Sequence, residues 1–241
     1  MSYSCLEELQ LDLDLHALNK TDILSKAGCM YDDGWFVITD DGYCHLFDND
    51  GNLDDVRKIK QLEEKHIRKD ITKIIIPDSV TSIECNAFYR CSKLKYITIS
   101  DSVTSIAKGT FIYCSYLTSV TIPNNVKSIG DYAFNGCTNL MNMTIGNSVA
   151  SIGWFAFTDC SRLMSVTILG SVTSIGRYTF ARCNRLKSMT IPDSVASIGD
   201  NAFYNCNSLI NLIFKGKTLE QIKTMKYYPW GIKNESIINV E

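Results

Sequence analysis

The sequence predicts an α/β solenoid: one stacked coil with a parallel sheet on one side, short helical turns on another, and non-repeating caps at both ends. Three observations predict it. The stretches "VASIGWFAFTDCSRLMSVTI" (149–168) and "VTSIGRYTFARCNRLKSMTI" (172–191) agree at their Val, Ser, Ile, Gly, Phe, Cys, Arg and Leu positions, 23 residues apart. Six such units tile 77–214 without an insertion. Each unit also carries two hydrophobic periods, one of two residues and one of three. A fixed period of 20–29 residues marks coils that stack and bury one continuous core.

The bulk properties are those of an ordinary globular chain. Of 241 residues, 45% are hydrophobic and 21% charged. No apolar run reaches the ~20 residues of a transmembrane helix. The net charge of −2 conceals an asymmetry. Residues 1–70 hold 16 acidic against 8 basic side chains, and residues 71–241 hold 10 against 16. This places a boundary near residue 70. The basic excess is too diffuse for nucleic acid, which calls for a dense stripe.

The N-terminal part, 1–70, reads as a non-repeat cap domain. Its start, "MSYSCLEELQLDLDLH", has no basic n-region and no apolar core, so it does not read as a secretory signal. Localisation is therefore left open: cytoplasmic as written, surface or secreted if a leader has been removed. "LDLDL" fits strand or helix equally. "WFVITDDGYCHLF" is two extended runs about Asp41-Gly42, a hairpin signal. Val56, Ile59 and Leu62 suggest an amphipathic helix leading to "KIIIP". Asp48, Asp50, Asn52 and Asp54 alternate as in a calcium loop, but Gly51 takes the fourth place and no Glu stands at the twelfth, so a turn is expected. An effector or inhibitor role for this part, with the solenoid as scaffold, is the alternative to a cap.

The solenoid spans 71–214. In "SVTIP" and its copies apolar and polar residues alternate, which is strand spacing; Ile97 and Ile99 point inward and Thr98 outward. In "AFYRCSKL", Phe88, Cys91 and Leu94 recur every three residues, which suits a helical turn over the core. "SVTSI" places Val80 and Ile83 inside around a second short extended segment. Gly130, Gly153, Gly176 and Gly199 share a column, read as a corner needing a permissive backbone. Pro77, Pro123 and Pro192 follow the strand, where a missing N–H costs little.

Cysteine recurs once per unit, at Cys91, Cys114, Cys137, Cys160, Cys183 and Cys206. Free Cys is among the most buried residue types and fits a tight inward corner. Parallel side chains on coils about 4.8 Å apart lack the torsion for a disulfide, so a reduced thiol ladder is expected. Cys5, Cys29, Cys44 and Cys85 lie outside the column, without CxxC or HxxxH spacing, so zinc is not expected. Cys85 sits in a variable column and is the thiol expected to react.

The end, 215–241, reads as a C-terminal cap. Thr218-Leu-Glu-Gln221 is a capping box, and Leu219, Ile222 and Met225 then form one apolar face, with Trp230 and Ile232 packing beside it.

The pattern "IPDSVTSIGxxAFxxCxxLxxVTI" resembles the BspA-like leucine-rich repeats, over about 71–232. The tail "FKGKTLEQIKTMKYYPWGI" is similar to a closing segment of that family. The resemblance implies a curved, right-handed leucine-rich-repeat solenoid used for binding, often at a cell surface.

Catalytic chemistry is not expected. The three histidines, His16, His45 and His66, have no partner in a known motif, and GxSxG, P-loop and GxGxxG patterns are absent. No cofactor or metal is implied. The expected function is protein–protein recognition, with binding of carbohydrate or another surface polymer as the alternative, no membrane insertion and a monomeric state.

Two surfaces are candidates. The outward strand positions Thr98, Thr121, Thr144, Thr167 and Thr190 form a polar ladder flanked by Ser and Asn; the single Thr column argues against ice binding. At the column before the Ala-Phe pair, Tyr132, Phe155 and Tyr178 fall on three successive coils, with Trp154 and Arg177 beside them. Aromatic side chains and Arg are enriched in protein contacts. The alternative is that these rings only cover a coil edge.

Overall fold

The structure is a computed structural model. It describes residues 71–76, 78 and 80–241, together with four strands before them: β1 Ala27–Tyr31, β2 Gly34–Ile38, β3 Tyr43–Asp48 and β4 Lys58–Ile59. The repeat then lays down two strands per coil, except that at Ile106 the second is reduced to an isolated bridge to Ile129. The longer set is β5 Lys73–Ile75, β7 Tyr96–Thr98, β8 Ser119–Ile122, β10 Asn142–Ile145, β12 Ser165–Ile168, β14 Ser188–Ile191 and β16 Asn211–Phe214. The two-residue set is β6 Ser82–Ile83, β9 Ser128–Ile129, β11 Ser151–Ile152, β13 Ser174–Ile175 and β15 Ser197–Ile198.

Both sets stack in parallel with a register of one repeat. Asn142 faces Ser119 and Ser165, and Ser151 faces Ser128 and Ser174. On the longer face the ladder breaks between β7 and β8 and again between β12 and β14, so the face comprises separate segments where one unbroken sheet was expected. The alternation reads directly in β8: Val120 and Ile122 are buried while Ser119 and Thr121 are exposed.

The turns differ from the helical expectation. Phe88, Cys91 and Leu94 do face the core and are fully buried, yet no helix forms. Alternate N–H groups bond back within the coil, as in Ala87 N to Glu84 O, Tyr89 N to Asn86 O and Cys91 N to Phe88 O. The N–H groups between them reach the next coil, from Asn86 to Lys108 O, Phe88 to Thr110 O and Arg90 to Ile112 O. Each coil holds two left-handed residues that stop a right-handed helix. One column is Asn86, Gly109, Tyr132, Phe155, Tyr178 and Asn201; the other is Arg90, Tyr113, Gly136, Asp159, Arg182 and Asn205.

The core is a set of ladders. The rings of Phe88, Phe111, Phe134, Phe157, Phe180 and Phe203 stack coil on coil, with centroids 5.4, 5.0, 5.3, 5.5 and 5.7 Å apart. The repeated cysteines are free, as expected; all are buried but Cys206, which is partly exposed. Each thiol from Cys114 onward donates to a Phe carbonyl of the preceding coil, at 3.2 Å for Cys114 to Phe88 O and 3.0 Å for Cys206 to Phe180 O. The column thus selects a small apolar side chain that still carries a weak donor.

The glycine column has a different cause from the one expected. Gly130, Gly153, Gly176 and Gly199 do not have positive φ. A Cβ on Gly176 would lie 2.6 Å from the carbonyl carbon of Gly153, and one on Gly199 would lie 2.4 Å from Arg177 N. Close approach of neighbouring coils, and not backbone freedom, requires glycine there.

At the first end β2 and β3 form the expected hairpin, with Ile38 opposite Cys44, and β1 pairs with β2. β3 joins β5 in parallel, and β4 joins β6. Lys58–Ile59 is therefore strand where a helix was expected, since the edge of β6 offers a ladder to pair with. The rest of that segment, the calcium-like stretch after Asp48, "LDLDL" and the histidine side chains lie outside the described residues.

At the other end the capping box is present on the short helix α1, Leu219–Lys223, with Thr218 and Gln221 bonding reciprocally. Ile222 is buried and Met225 packs against the core partly buried, but Leu219 is 43% exposed, so two of the three expected apolar residues face inward. Trp230 is fully buried 5.5 Å from Phe214. Its carbonyl accepts the Phe203 N–H at 3.0 Å, the bond that a further coil would make. Strand β17, Ile238–Val240, pairs in parallel with β16.

Candidate binding surface

The corner between the short strands and the turns carries two neighbouring columns. One is Asp131, Trp154, Arg177 and Asp200, and the other is the left-handed column with Tyr132, Phe155 and Tyr178. The glycine column before them holds the coils close, so side chains here stack one repeat apart. Tyr132 and Phe155 have centroids 4.9 Å apart with planes at 5°, and Phe155 and Tyr178 are 5.1 Å apart at 4°. The Arg177 guanidinium sits 5.0 Å from the Tyr178 ring centroid and 3.6 Å from Asp200. Asn201 Nδ2 donates to Tyr178 Oη at 3.1 Å.

Trp154 stands apart from the stack and is 59% exposed. Its N–H donates to Asp131 Oδ1 at 2.7 Å, fixing the backbone that presents the ring. Trp154 and Arg177 line an open groove of about 530 Å³ whose floor is the three Ser-Ile-Gly triplets that begin with β11, β13 and β15. Asp131 and Asp200 share its rim, and Lys226 and Tyr227 of the C-terminal segment also line it.

The structure therefore divides the aromatic group in two. Trp154 and Arg177 belong to the groove, whereas Tyr132, Phe155 and Tyr178 form a half-buried stack outside its lining. Thr98, Thr121 and Thr167 are exposed and Thr144 and Thr190 half-buried on the longer strands, away from the groove. Sequence reasoning missed Asp131, the three serines and Lys226–Tyr227. The recurring Ser-Ile-Gly was a usable signal, because a glycine column leaves a trough. Lys226 and Tyr227 lie beyond the last repeat, where no column predicts their position.

Other charged groups on the turns are spent on structure. Arg182 donates twice to Asp159, at 2.6 and 2.7 Å, and Arg162 donates to Asn139 Oδ1 at 2.7 Å. Burial pushes the Cys114, Cys160 and Cys183 thiols well above their ordinary 9.0, which keeps them protonated and unreactive. Among the described residues no group of His, Cys, Asp and Glu could hold a metal ion. No described helix is long and apolar enough to cross a membrane.

Parallel strands in one-repeat register around a single ladder core define a β-solenoid of the leucine-rich-repeat class. The model of the "BspA type Leucine rich repeat region (6 copies)" matches residues 65–183 and 104–233. The chain belongs to this family. Among solved structures it is similar to the leucine-rich repeat protein of T. pallidum, at 22% identity and TM-score 0.59, covering 78% of this chain and 86% of that one. It is also similar to a leucine-rich cell surface protein of Faecalibacterium prausnitzii, at 26% identity and TM-score 0.54, covering 78% of this chain. The match spans 54% of the Faecalibacterium protein's length. No curated protein matches.

Proposed function

We propose that this chain is a non-enzymatic recognition module that binds another protein at the corner formed by Trp154, Phe155, Tyr132, Tyr178 and Arg177. The observation that carries this reading is the company the aromatic rings keep. Asn86, Gly109 and Asn201 occupy the same left-handed column on other coils, and those residue types adopt positive φ at least cost. Tyr132, Phe155 and Tyr178 adopt it against their preference, which costs about 1–2 kcal/mol each. Trp154 beside them remains largely in solvent. Bulky rings placed where the fold accepts Asn, next to an exposed Trp and an Arg, have the composition of a contact hot spot. The resemblance to a cell surface protein of Faecalibacterium prausnitzii supports a partner met at a surface.

The test is the double variant Trp154→Asp/Phe155→Asn, which copies the Asp200-Asn201 pair of the last unit. Tagged wild-type protein is used to capture a partner, and its affinity for both forms is measured. The melting temperature is expected to hold within a few degrees, because relief at residue 155 offsets the lost stacking of about 0.5–1.5 kcal/mol per pair. Binding is expected to weaken by about 2 kcal/mol or more. A variant that melts early and binds normally would make the rings structural cover and move attention to the Thr98–Thr190 ladder.

A further inference from the structure

We infer that the groove over β11, β13 and β15 is a binding site for a neutral glycan chain. This rests on reading the chain as a recognition module, but not on which protein the aromatic stack contacts.

The floor is made by three successive Ser-Ile-Gly triplets. The isoleucines are buried, the glycines have no side chain, and the serines are left facing outward. Among the described residues the hydroxyls of Ser151, Ser174 and Ser197 have no protein hydrogen-bond partner. They repeat once per coil, roughly every 4.8 Å, about the advance of one pyranose ring along an extended chain. A row of free donor–acceptor groups at that pitch can address one sugar after another.

The rim supplies the rest of the chemistry. Trp154 offers an exposed ring for the C–H face of a sugar, and the planar carboxylates of Asp131 and Asp200 and the Arg177 guanidinium suit paired hydroxyls. The rim charges alternate: Asp131 and Asp200 are opposed by Arg177 and Lys226, and Arg177 is bridged to Asp200. That balance gives no field of one sign to draw in a charged polymer. A peptide that binds by strand addition is disfavoured for a different reason. Peptides add to sheets through open backbone edges, and the backbone of this floor is already paired from coil to coil in β9, β11, β13 and β15.

The full chain is titrated with cellohexaose, mannohexaose, chitohexaose and maltohexaose, and with a heparin-derived hexasaccharide for comparison, by calorimetry and tryptophan emission. Saturable binding of at least one neutral hexaose is expected, with a shift in emission. Trp154→Ala, at an exposed side chain, and Ser174→Gln, at a half-buried one on the groove floor, are each expected to weaken it by about tenfold or more, and Phe155→Asn by less than about twofold. The inference is overturned if no neutral hexaose binds, if heparin hexasaccharide binds more tightly, or if both groove variants bind undiminished. Capture of a protein partner that depends on Phe155, with no hexaose binding, would leave the recognition module standing and remove the glycan site alone.

Discussion

At Gly176 a hydrogen decides the distance between two coils. Its backbone φ is within reach of any residue, so the usual argument from glycine's flexibility does not apply. An added methyl group would lie 2.6 Å from Gly153 C and 2.7 Å from Gly153 O, and backbone cannot swing away as a side-chain tip can. Relief requires the two coils to part, which stretches the Gly176 N to Ile152 O bond, now 2.8 Å, and loosens the Phe157–Phe180 stack. Gly176→Ala is therefore expected to cost about 1–3 kcal/mol, the range for overpacking a rigid site. The shift in denaturant midpoint measures it, and an unchanged midpoint would mean that coil spacing is soft. The same contact leaves the trough beside Trp154, so one atom type serves both packing and the groove.

Among the elements, the thiol ladder ties stability to pH. Burial is the main cause that raises the thiols of Cys114, Cys160 and Cys183 well above 9.0, and it pushes Cys206 up to about 12. Above pH 9 the unfolded chain releases these protons while the folded chain keeps them. The unfolded state then binds fewer protons, and stability falls as pH rises. The loss begins near pH 9, and for Cys206 it levels off near pH 12. Replacing Cys160 and Cys183 by Ala is expected to lower stability at neutral pH, by losing the bonds to Phe134 O and Phe157 O. The same change makes the alkaline decline shallower, by about 1.4 kcal/mol per pH unit for each thiol removed. Equal slopes in both proteins would count against ionisation as the cause. The inward columns of these turns were legible because periodicity reports which side chains are buried. Their hydrogen bonding was not, because spacing by three fits a helical turn and a string of tight turns alike, and only the left-handed residues separate them. Lys58–Ile59 was misread for a related reason: Val56, Ile59 and Leu62 satisfy helical spacing, and the pairing with β6 that overrides it is non-local.

For the whole molecule, legibility follows the repeat. The core columns could be read because every coil repeats the same demand, whereas the groove depends on what differs between coils, namely Trp154, Arg177 and Asp200 at one offset, and on the non-repeating Lys226–Tyr227. The repeat also sets how the chain tolerates change. Strands pair with the coil immediately before or after, at a register of 23 residues: Met143 with Val120 and Val166, and Ile152 with Ile129 and Ile175. Deleting 124–146, one full unit of 23 residues, joins Pro123 to Asn147 and restores every column, because each residue beyond the cut inherits the neighbour of its own type. Stability in such an array is a sum of coil and interface terms, so the shortened chain is expected to fold with a modest loss. Deleting 124–135, about half a unit, would instead bring strand positions against turn positions, setting Thr138, Ser161 and Asn184 in the buried valine column and Gly146 and Pro192 in the buried phenylalanine column. That chain is expected to lose its cooperative transition. Circular dichroism with thermal melting reads both outcomes. A solenoid requires the longer deletion to be the milder one, and equal collapse of the two would show that contacts reach beyond the adjacent coil.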